Sequence, residues 1–316
     1  MFKRLLYVYT VYKEQSFSRA AEKLYISQPS LSAAVKKTEE EVGFPLFERG
    51  FSPIRLTQIG EKYMEAAEEI LSIQKNFTSF LEDTQSLKQG SLSVGGSHYV
   101  SSYILPQLVG HFADRYPGIS ITLQEAASVE LEALVKKEAL DLVIDSFGKD
   151  HAIYETYPLT TEKIMLAVPA TATINSTLSD FQILPEHIRN NSLDYRAVPA
   201  LSAEVFKDQK YILLKNGNDM YLQAKHIFKE SHISPEVIFS LDQLITSYNL
   251  CASGTGVCFV TDTLFRYNSY PNNVFLYNIL ESEDRTLHIA HKKVRYCTRA
   301  MEEFIRLAKE IIKYRL

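Results

Sequence analysis

Residues 16–43 read SFSRAAEKLYISQPSLSAAVKKTEEEVG, and the fold of the front of the chain follows from this stretch. Phe17, Ala20, Ala21 and Leu24 recur at i, i+3, i+4 and i+7, one face of a helix that Ser18 is placed to cap. Tyr25 and Ile26 make a short break. Ser27 then stands as an N-cap, with Pro29 in the first turn, where a missing N–H costs nothing. Leu31, Val35, Thr38 and Val42 form the next apolar face, and Gly43 is placed to end it. Two short helices joined by a tight turn predict a helix-turn-helix. The second helix has an outer face of small and polar residues, Gln28, Ser30, Ser32 and Ala33, followed by Lys36 and Lys37. In a helix-turn-helix this face enters the DNA major groove with its N-terminal residues toward base edges. Gln pairs with adenine in a bidentate way, Ser serves either partner, and Ala allows close approach. The lysines would neutralise phosphates. The plainer alternative is a solvated face on which the lysines pair with Glu39–Glu41 at i,i+4.

The flanks extend this reading. Leu5, Leu6, Tyr9 and Tyr12 have helical spacing. After Gly43, the stretch FPLFERGFSPIRLT contains Pro45, Gly50 and Pro53, while Phe47, Ile54 and Leu56 alternate with polar residues, so a small hairpin or wing is expected. Arg49 and Arg55 lie on that wing, where a minor-groove or backbone contact suits them. The candidate DNA-contacting set is Ser18, Arg19, Gln28, Pro29, Ser30, Ser32, Ala33, Lys36, Lys37, Arg49 and Arg55.

Charge agrees with a nucleic-acid-binding head. The 316-residue chain has a formal net charge of -4, yet residues 1–60 hold nine Lys and Arg against six Asp and Glu, and the remainder 25 against 32. Only the basic head is suited to a polyanion. The start, MFKRLLYVYTVYKEQ, is too polar for a secretory signal, and no run of 18 apolar residues exists, so no membrane span and a cytoplasmic location are expected. The three cysteines, Cys251, Cys258 and Cys297, fit reduced thiols.

From Thr57 onward Ile59, Tyr63, Ala66, Ile70, Ile73, Phe77, Phe80, Thr84 and Leu87 repeat with 4,3 spacing. That is an a/d seam on a helix of roughly 45 Å. Ile59, Tyr63, Ala66, Ile70, Ile73 and Phe77 are the candidate dimerisation residues; packing on the helix's own domain is the alternative. After Gly90, short β runs alternate with helical segments. The strands are LSVGGS, SITLQEA, LDLVIDS, KIMLAVP, KYILLKN, EVIFSLD, GVCFVTD and LHIAHKK; the helices lie near 103–116, 129–138, 219–231, 242–253 and 298–313. This alternation predicts parallel sheets flanked by helices. Residues 170–209 are the least regular and predict a long excursion.

The segment from Ser16 to Glu61 resembles the LysR-type transcriptional regulators through AAEKL, SQPSLS, EEEVGFPLFER and LTQIGE. Further on, YILPQLVGHFADRYPGISITL, LDLVID, EKIMLAVP and CASGTGVCFV fit the same family more loosely. Two positions depart: Ala33 stands where the family often has arginine, and Thr38 where it often has leucine. The resemblance implies an α/β fold with an all-α winged helix-turn-helix head (1–58), a linker and dimerisation helix (59–89) and a two-lobed effector domain similar to periplasmic binding proteins (90–316). Lobe I would comprise about 90–162 and 267–316, lobe II about 163–266, with crossings near 160–164 and 264–268. The implied partners are double-stranded operator DNA, a small-molecule effector, a second copy or three in a homodimer or homotetramer, and RNA polymerase where transcription is activated.

Ligands of doubly wound sheets sit beyond strand carboxyl ends, near helix starts. Ser97, His98 and Tyr99, then Ser128, then Asp145 and Ser146, then Asn216, Gly217 and Asn218 occupy such places and form the candidate effector set. Helix starts and hydroxyls favour an anionic metabolite; a capping role for Ser97, Ser128 and Asp219 is the alternative. No Gly-x-Ser-x-Gly, phosphate loop or paired metal motif is present, and GTG at 254–256 precedes a strand, so no enzyme, cofactor or metal is expected. Some LysR-type regulators sense redox through a cysteine pair, which makes Cys251 and Cys258 the alternative sensor. Their expected places, a helix and a buried strand, favour structural thiols.

Overall fold

The computed structural model describes residues 2–48, 50, 53–83, 90–146, 152–266 and 273–313. It divides into two compact units, Met1–Leu81 and Glu82–Leu316.

The first unit holds α1 (Phe2–Glu14), α2 (Phe17–Lys23), α3 (Gln28–Val42) and α4 (Gln58–Asp83). The apolar rows meet in one core of Val8, Val11, Ala20, Ala21, Leu31, Val35, Leu46, Phe47 and Met64. The cap of α2 is Ser16, whose side chain accepts from the Arg19 N–H at 3.4 Å; Ser18, the expected cap, lies exposed inside the helix. Serines two residues apart compete for one cap, and the break at Gln15, in the left-handed region at φ 49°, decides for the earlier one. Ser27 caps α3 by accepting from Ser30 N–H at 3.3 Å, and Gly43, at φ 82°, closes it with N–H to Glu39 O at 2.8 Å. Thr38 is buried, and its hydroxyl is satisfied by Ala34 O at 3.1 Å. The expected wing is one antiparallel bridge, Phe47 to Leu56.

Helix α4 carries two apolar rows. Gly60, Met64 and Ala67 are buried, Met64 within the head core. Ile59, Ala66, Ile73 and Phe77 of the expected seam are exposed, while Tyr63 and Ile70 are half-buried. Thr84 and Leu87, the last seam positions, lie outside the described residues, as does Arg49.

The second unit contains two five-stranded sheets. The first has the order β2-β1-β3-β10-β4, with β1 Gly90–Gly96, β2 Ile119–Glu125, β3 Leu142–Asp145, β4 Tyr154–Glu162 and β10 Arg285–Lys292. The second has the order β7-β6-β8-β5-β9, with β5 Ile164–Pro169, β6 Lys210–Leu214, β7 Glu236–Leu241, β8 Val257–Thr261 and β9 Val274–Asn278. Flanking them are α5 (Leu105–Arg115), α6 (Ser128–Lys136), α7 (Pro185–Arg189), α8 (Asp219–Glu230), α9 (Leu244–Ala252), α10 (Thr263–Arg266) and α11 (Arg299–Lys313).

The sheets are mixed rather than parallel. β1 runs parallel to β2 and β3, but β10 is antiparallel to both β3 and β4, and β5 is antiparallel to β8 and β9. The first crossing between lobes falls at Lys163, as expected. The second follows Asn278 instead of residues 264–268, because Val274–Asn278 pairs with β5 in the second sheet. The irregular stretch 170–209 is fastened to that same strand. Tyr277 donates its hydroxyl to Asn175 Oδ1, and the Asn278 side-chain amide donates to Tyr195 O and Val198 O, each at 2.8 Å.

Candidate nucleic-acid interface and effector cleft

Leu31, Val35 and Thr38 anchor one side of α3 in the head core, which turns the opposite side to solvent. Gln28, Pro29, Ser30, Ala33, Lys36 and Lys37 are exposed and Ser32 is half-buried; Ser18 and Arg19 on α2 and Arg55 on the wing are exposed too. Several of these groups are pre-oriented. Gln28 Nε2 donates to Ser32 Oγ at 3.0 Å, the Ser27 and Ser30 hydroxyls lie 2.7 Å apart, and Arg19 donates to Glu14 O at 2.6 Å. The glutamates that follow have three separate tasks. Glu40 approaches Lys36 at 3.8 Å and Glu41 pairs with Arg4. Glu39 accepts the backbone N–H groups of Leu46 at 2.7 Å and Phe47 at 3.3 Å, fixing the start of the wing against the end of α3. Sequence reasoning read Glu39 only as a possible lysine partner. Its acceptors' absence from any ladder (a Pro45 turn with two amides to satisfy) was the available signal.

In the second unit the candidate effector residues collect where the two lobes face each other. Ser97 follows β1, and its carbonyl accepts from Ser101 N–H at 2.8 Å, opening a π-helical turn over Val100–Ile104. His98 contacts the Glu125 carboxylate, and Tyr99 is buried beside Tyr103 with ring centroids 5.3 Å apart. Ser128 and Asp219 are the first residues of α6 and α8, but neither is a cap: Ala127 precedes α6, and Asn218 caps α8 by accepting from Met220 N–H at 3.0 Å. Gly217 takes the left-handed turn before it at φ 97°, and Asn216 is exposed.

Asp145 ends β3 and is 4% exposed. Its Oδ1 accepts from Ser146 N–H at 2.7 Å and from the Ser146 hydroxyl at 3.3 Å, while Oδ2 has no hydrogen-bond partner among the described residues. Burial pushes its pKa above the ordinary carboxylate value, and nearby Asp219 adds to the rise. The Ser146 backbone, the Ser128 side chain and Arg285 oppose it.

The residue that links the lobes is Arg285, at the start of β10, which sequence reasoning did not single out. Its Nε donates to Glu162 Oε2 in the first lobe and its Nη1 to Asp219 Oδ2 in the second, both at 2.7 Å. Burial disfavours the guanidinium charge, but Glu162 and Asp219 outweigh it and raise the pKa further. Glu162 is fully buried and also accepts from the Thr263 hydroxyl. Beside it Asp262 accepts from Lys163 N–H at 2.9 Å and from the Tyr195 hydroxyl at 2.7 Å. The crossing strand is thus held by one acidic residue on each side.

Cys251 and Cys258 are fully buried on α9 and β8. Their mutual hydrogen bond and burial push the Cys251 thiol far above its ordinary value, the opposite of an activated thiolate. No described helix is long and apolar enough to cross a membrane, and no group of three metal-ligating side chains occurs among the described residues.

Residues 2–61 match the family model for the bacterial regulatory helix-turn-helix protein, lysR family, and residues 85–312 match the LysR substrate binding domain. YcgK of Bacillus subtilis, an HTH-type transcriptional regulator, is 29% identical over 98% of this chain and 94% of its own length. A probable RuBisCO transcriptional regulator of Synechocystis is 26% identical over 93% of this chain and 81% of its own. Among solved structures, full-length OxyR from Pseudomonas aeruginosa superposes with a TM-score of 0.70 at 24% identity, covering 98% of this chain and 94% of that one. Full-length CbnR complexed with its target DNA gives 0.59 at 18% identity, covering 98% and 99%. The effector binding domain of QuiR in complex with shikimate gives 0.55 at 19%, covering 72% and 98%.

Proposed function

The chain belongs to the LysR family of transcriptional regulators, and on that premise we propose that it reads promoter DNA with the outer face of α3 and adjusts that binding to a small molecule held between its two lobes. The observation that carries the DNA assignment is the sidedness of α3. Its aliphatic residues are buried, and its Gln, Ser, Ala and Lys residues face solvent from a helix capped at both ends. Gln28, Ser30 and Ser32 are the base-reading group; Lys36, Lys37 and Arg55 hold phosphates. Ala33 is the wrong residue for a bidentate base contact, so operator preference at that step falls to its neighbours.

The exposed apolar row of α4 supports a homodimer. Ile73 and Phe77 are 68% and 62% exposed, and a helix with such a stripe needs a partner surface. A dimer places two recognition helices on two half-sites and predicts a two-fold operator. Contact with RNA polymerase belongs to the activating mode. The effector role of the cleft is supported by the Arg285 bridge across the lobes, a two-state element that ligand binding can bias. Redox sensing through Cys251 and Cys258 is disfavoured by their burial.

Selection of genomic DNA fragments by the purified chain, followed by anisotropy titration of the enriched site, tests the reading. A shared two-fold motif bound by the native chain and weakened by the combined changes Gln28→Ala and Ser32→Ala is the expected result. Binding that shows no sequence preference, or that these changes leave intact, overturns it.

A further inference from the structure

The charge inventory of the cleft runs against its helix starts. Three carboxylates, Asp145, Asp219 and Glu162, converge there, and one guanidinium, Arg285, answers two of them with bonds at 2.7 Å. Asp145 remains. It is 4% exposed, and its Oδ2 lacks a partner among the described residues although a buried carboxylate oxygen requires one. Asp145 belongs to the first lobe and Asp219 to the second, and the two are close enough to repel. The helix dipoles that would favour an anion are already answered. Asn218 caps α8, Asp219 sits in its first turn, and Glu130 sits in the first turn of α6.

We propose that the cleft takes a small organic cation, an amine or a guanidine, seated between Asp145 and Asp219. The ammonium or guanidinium N–H groups supply the donors that Asp145 Oδ2 lacks, and the Ser97 and Ser128 hydroxyls can accept the remaining ones. A cation between carboxylates of opposite lobes binds the closed arrangement more tightly than the open one. Ligand identity and lobe closure are therefore coupled through charge. This rests on the cleft being the effector site. It also sets this chain apart from QuiR, whose effector domain was solved with shikimate, a carboxylate.

The test is a thermal-shift comparison of the full chain against matched probes at constant ionic strength. Butylamine, 1,4-diaminobutane and agmatine are set beside butyrate and succinate, with Asp145→Asn, Asp219→Asn and Ser97→Ala run in parallel. At about a hundred times its dissociation constant a bound cation should raise the melting temperature by about 5–10 °C. That rise should vanish in Asp145→Asn and shrink at least tenfold in affinity in Asp219→Asn, while the acids give none. An acid that shifts the native chain and loses its shift in Ser97→Ala keeps the cleft as the effector site and overturns the cation. No shift with any of the three cations also overturns it. A cation shift that survives all three variants removes both this inference and the cleft assignment.

Discussion

Replacing Arg285 by Met should strongly destabilise the effector unit. The guanidinium joins Glu162, which is fully buried, to Asp219, whose side chain is 22% exposed. Met preserves most of the stem's volume, so the cost comes from charge rather than from a cavity. Glu162 would keep one hydrogen bond, from Thr263, and lose its only counter-ion among the described residues. Breaking a buried pair from one side costs about 3–5 kcal/mol. For a unit of this size that corresponds to a fall of about 6–20 °C in melting temperature. Asp219→Asn should cost about 1 kcal/mol, because water reaches that carboxylate and an amide still accepts from Arg285. Adding Glu162→Gln to Arg285→Met should recover much of the loss, because the uncompensated charge is then gone. Calorimetric melts of the four proteins, without ligand, read these differences directly. A change below about 1 kcal/mol for Arg285→Met, or no recovery in the double variant, would refute the bridge as the bond that holds the lobes.

Other outcomes follow from single contacts. Gly60→Ala places a methyl 2.0 Å from Leu46 O and 2.9 Å from its carbon. Backbone cannot yield that far, so urea unfolding of the head should show a loss of about 2 kcal/mol or more, not the ~1 kcal/mol gain that helix propensity alone gives. Lys36→Ala and Lys37→Ala should each lower the slope of log affinity against log salt by about 0.9, measured by anisotropy on the selected operator. An unchanged slope assigns both to the solvated face. Asp145→Asn should raise stability near neutral pH by about 1–2 kcal/mol. The folded pKa lies above the unfolded one, so the native aspartate loses stability as pH rises from the unfolded value through the folded one. The advantage of Asn should therefore disappear in acid, and a variant equally stabilised at every pH contradicts the linkage. Under native conditions a thiol reagent should modify no more than one of the three cysteines, Cys297, since the other two are fully buried.

What the sequence made legible was what local chemistry decides. The caps Ser27 and Gly43, the turn at Tyr25 and the buried row of α3 are each set by residues within a few positions. The strands that escaped notice are the edge strands β4 and β9. β4, YETYPLTTE, shows no apolar alternation and contains Pro158, which an edge tolerates because one side of its ladder is open. The antiparallel insertion of β10 between β3 and β4 depends on a return of the chain that no local period encodes. In α4 the 4,3 repeat gave the outer seam and hid the second row, Gly60, Met64 and Ala67, on which the head closes. Arg285 was invisible for the same reason as β10: its partner Glu162 is 123 residues away.

The acidic body now has a second meaning. Read from composition, an excess of carboxylates after residue 60 served only to keep DNA on the basic head. Surface carboxylates suffice for that, and a protein gains nothing in solubility from charges it buries. Yet Asp145, Glu162 and Asp262 are all buried around the junction of the lobes. Asp262 and Glu162 answer backbone and arginine groups that hold the crossing strand, so their burial is structural. Asp145 answers only its own neighbour Ser146 through one oxygen and leaves the other empty-handed. An unneeded buried carboxylate costs stability, and a single base change to Asn would relieve it. Its position at the carboxyl end of β3, facing a carboxylate of the other lobe, is where that cost is recovered when a ligand of opposite charge arrives.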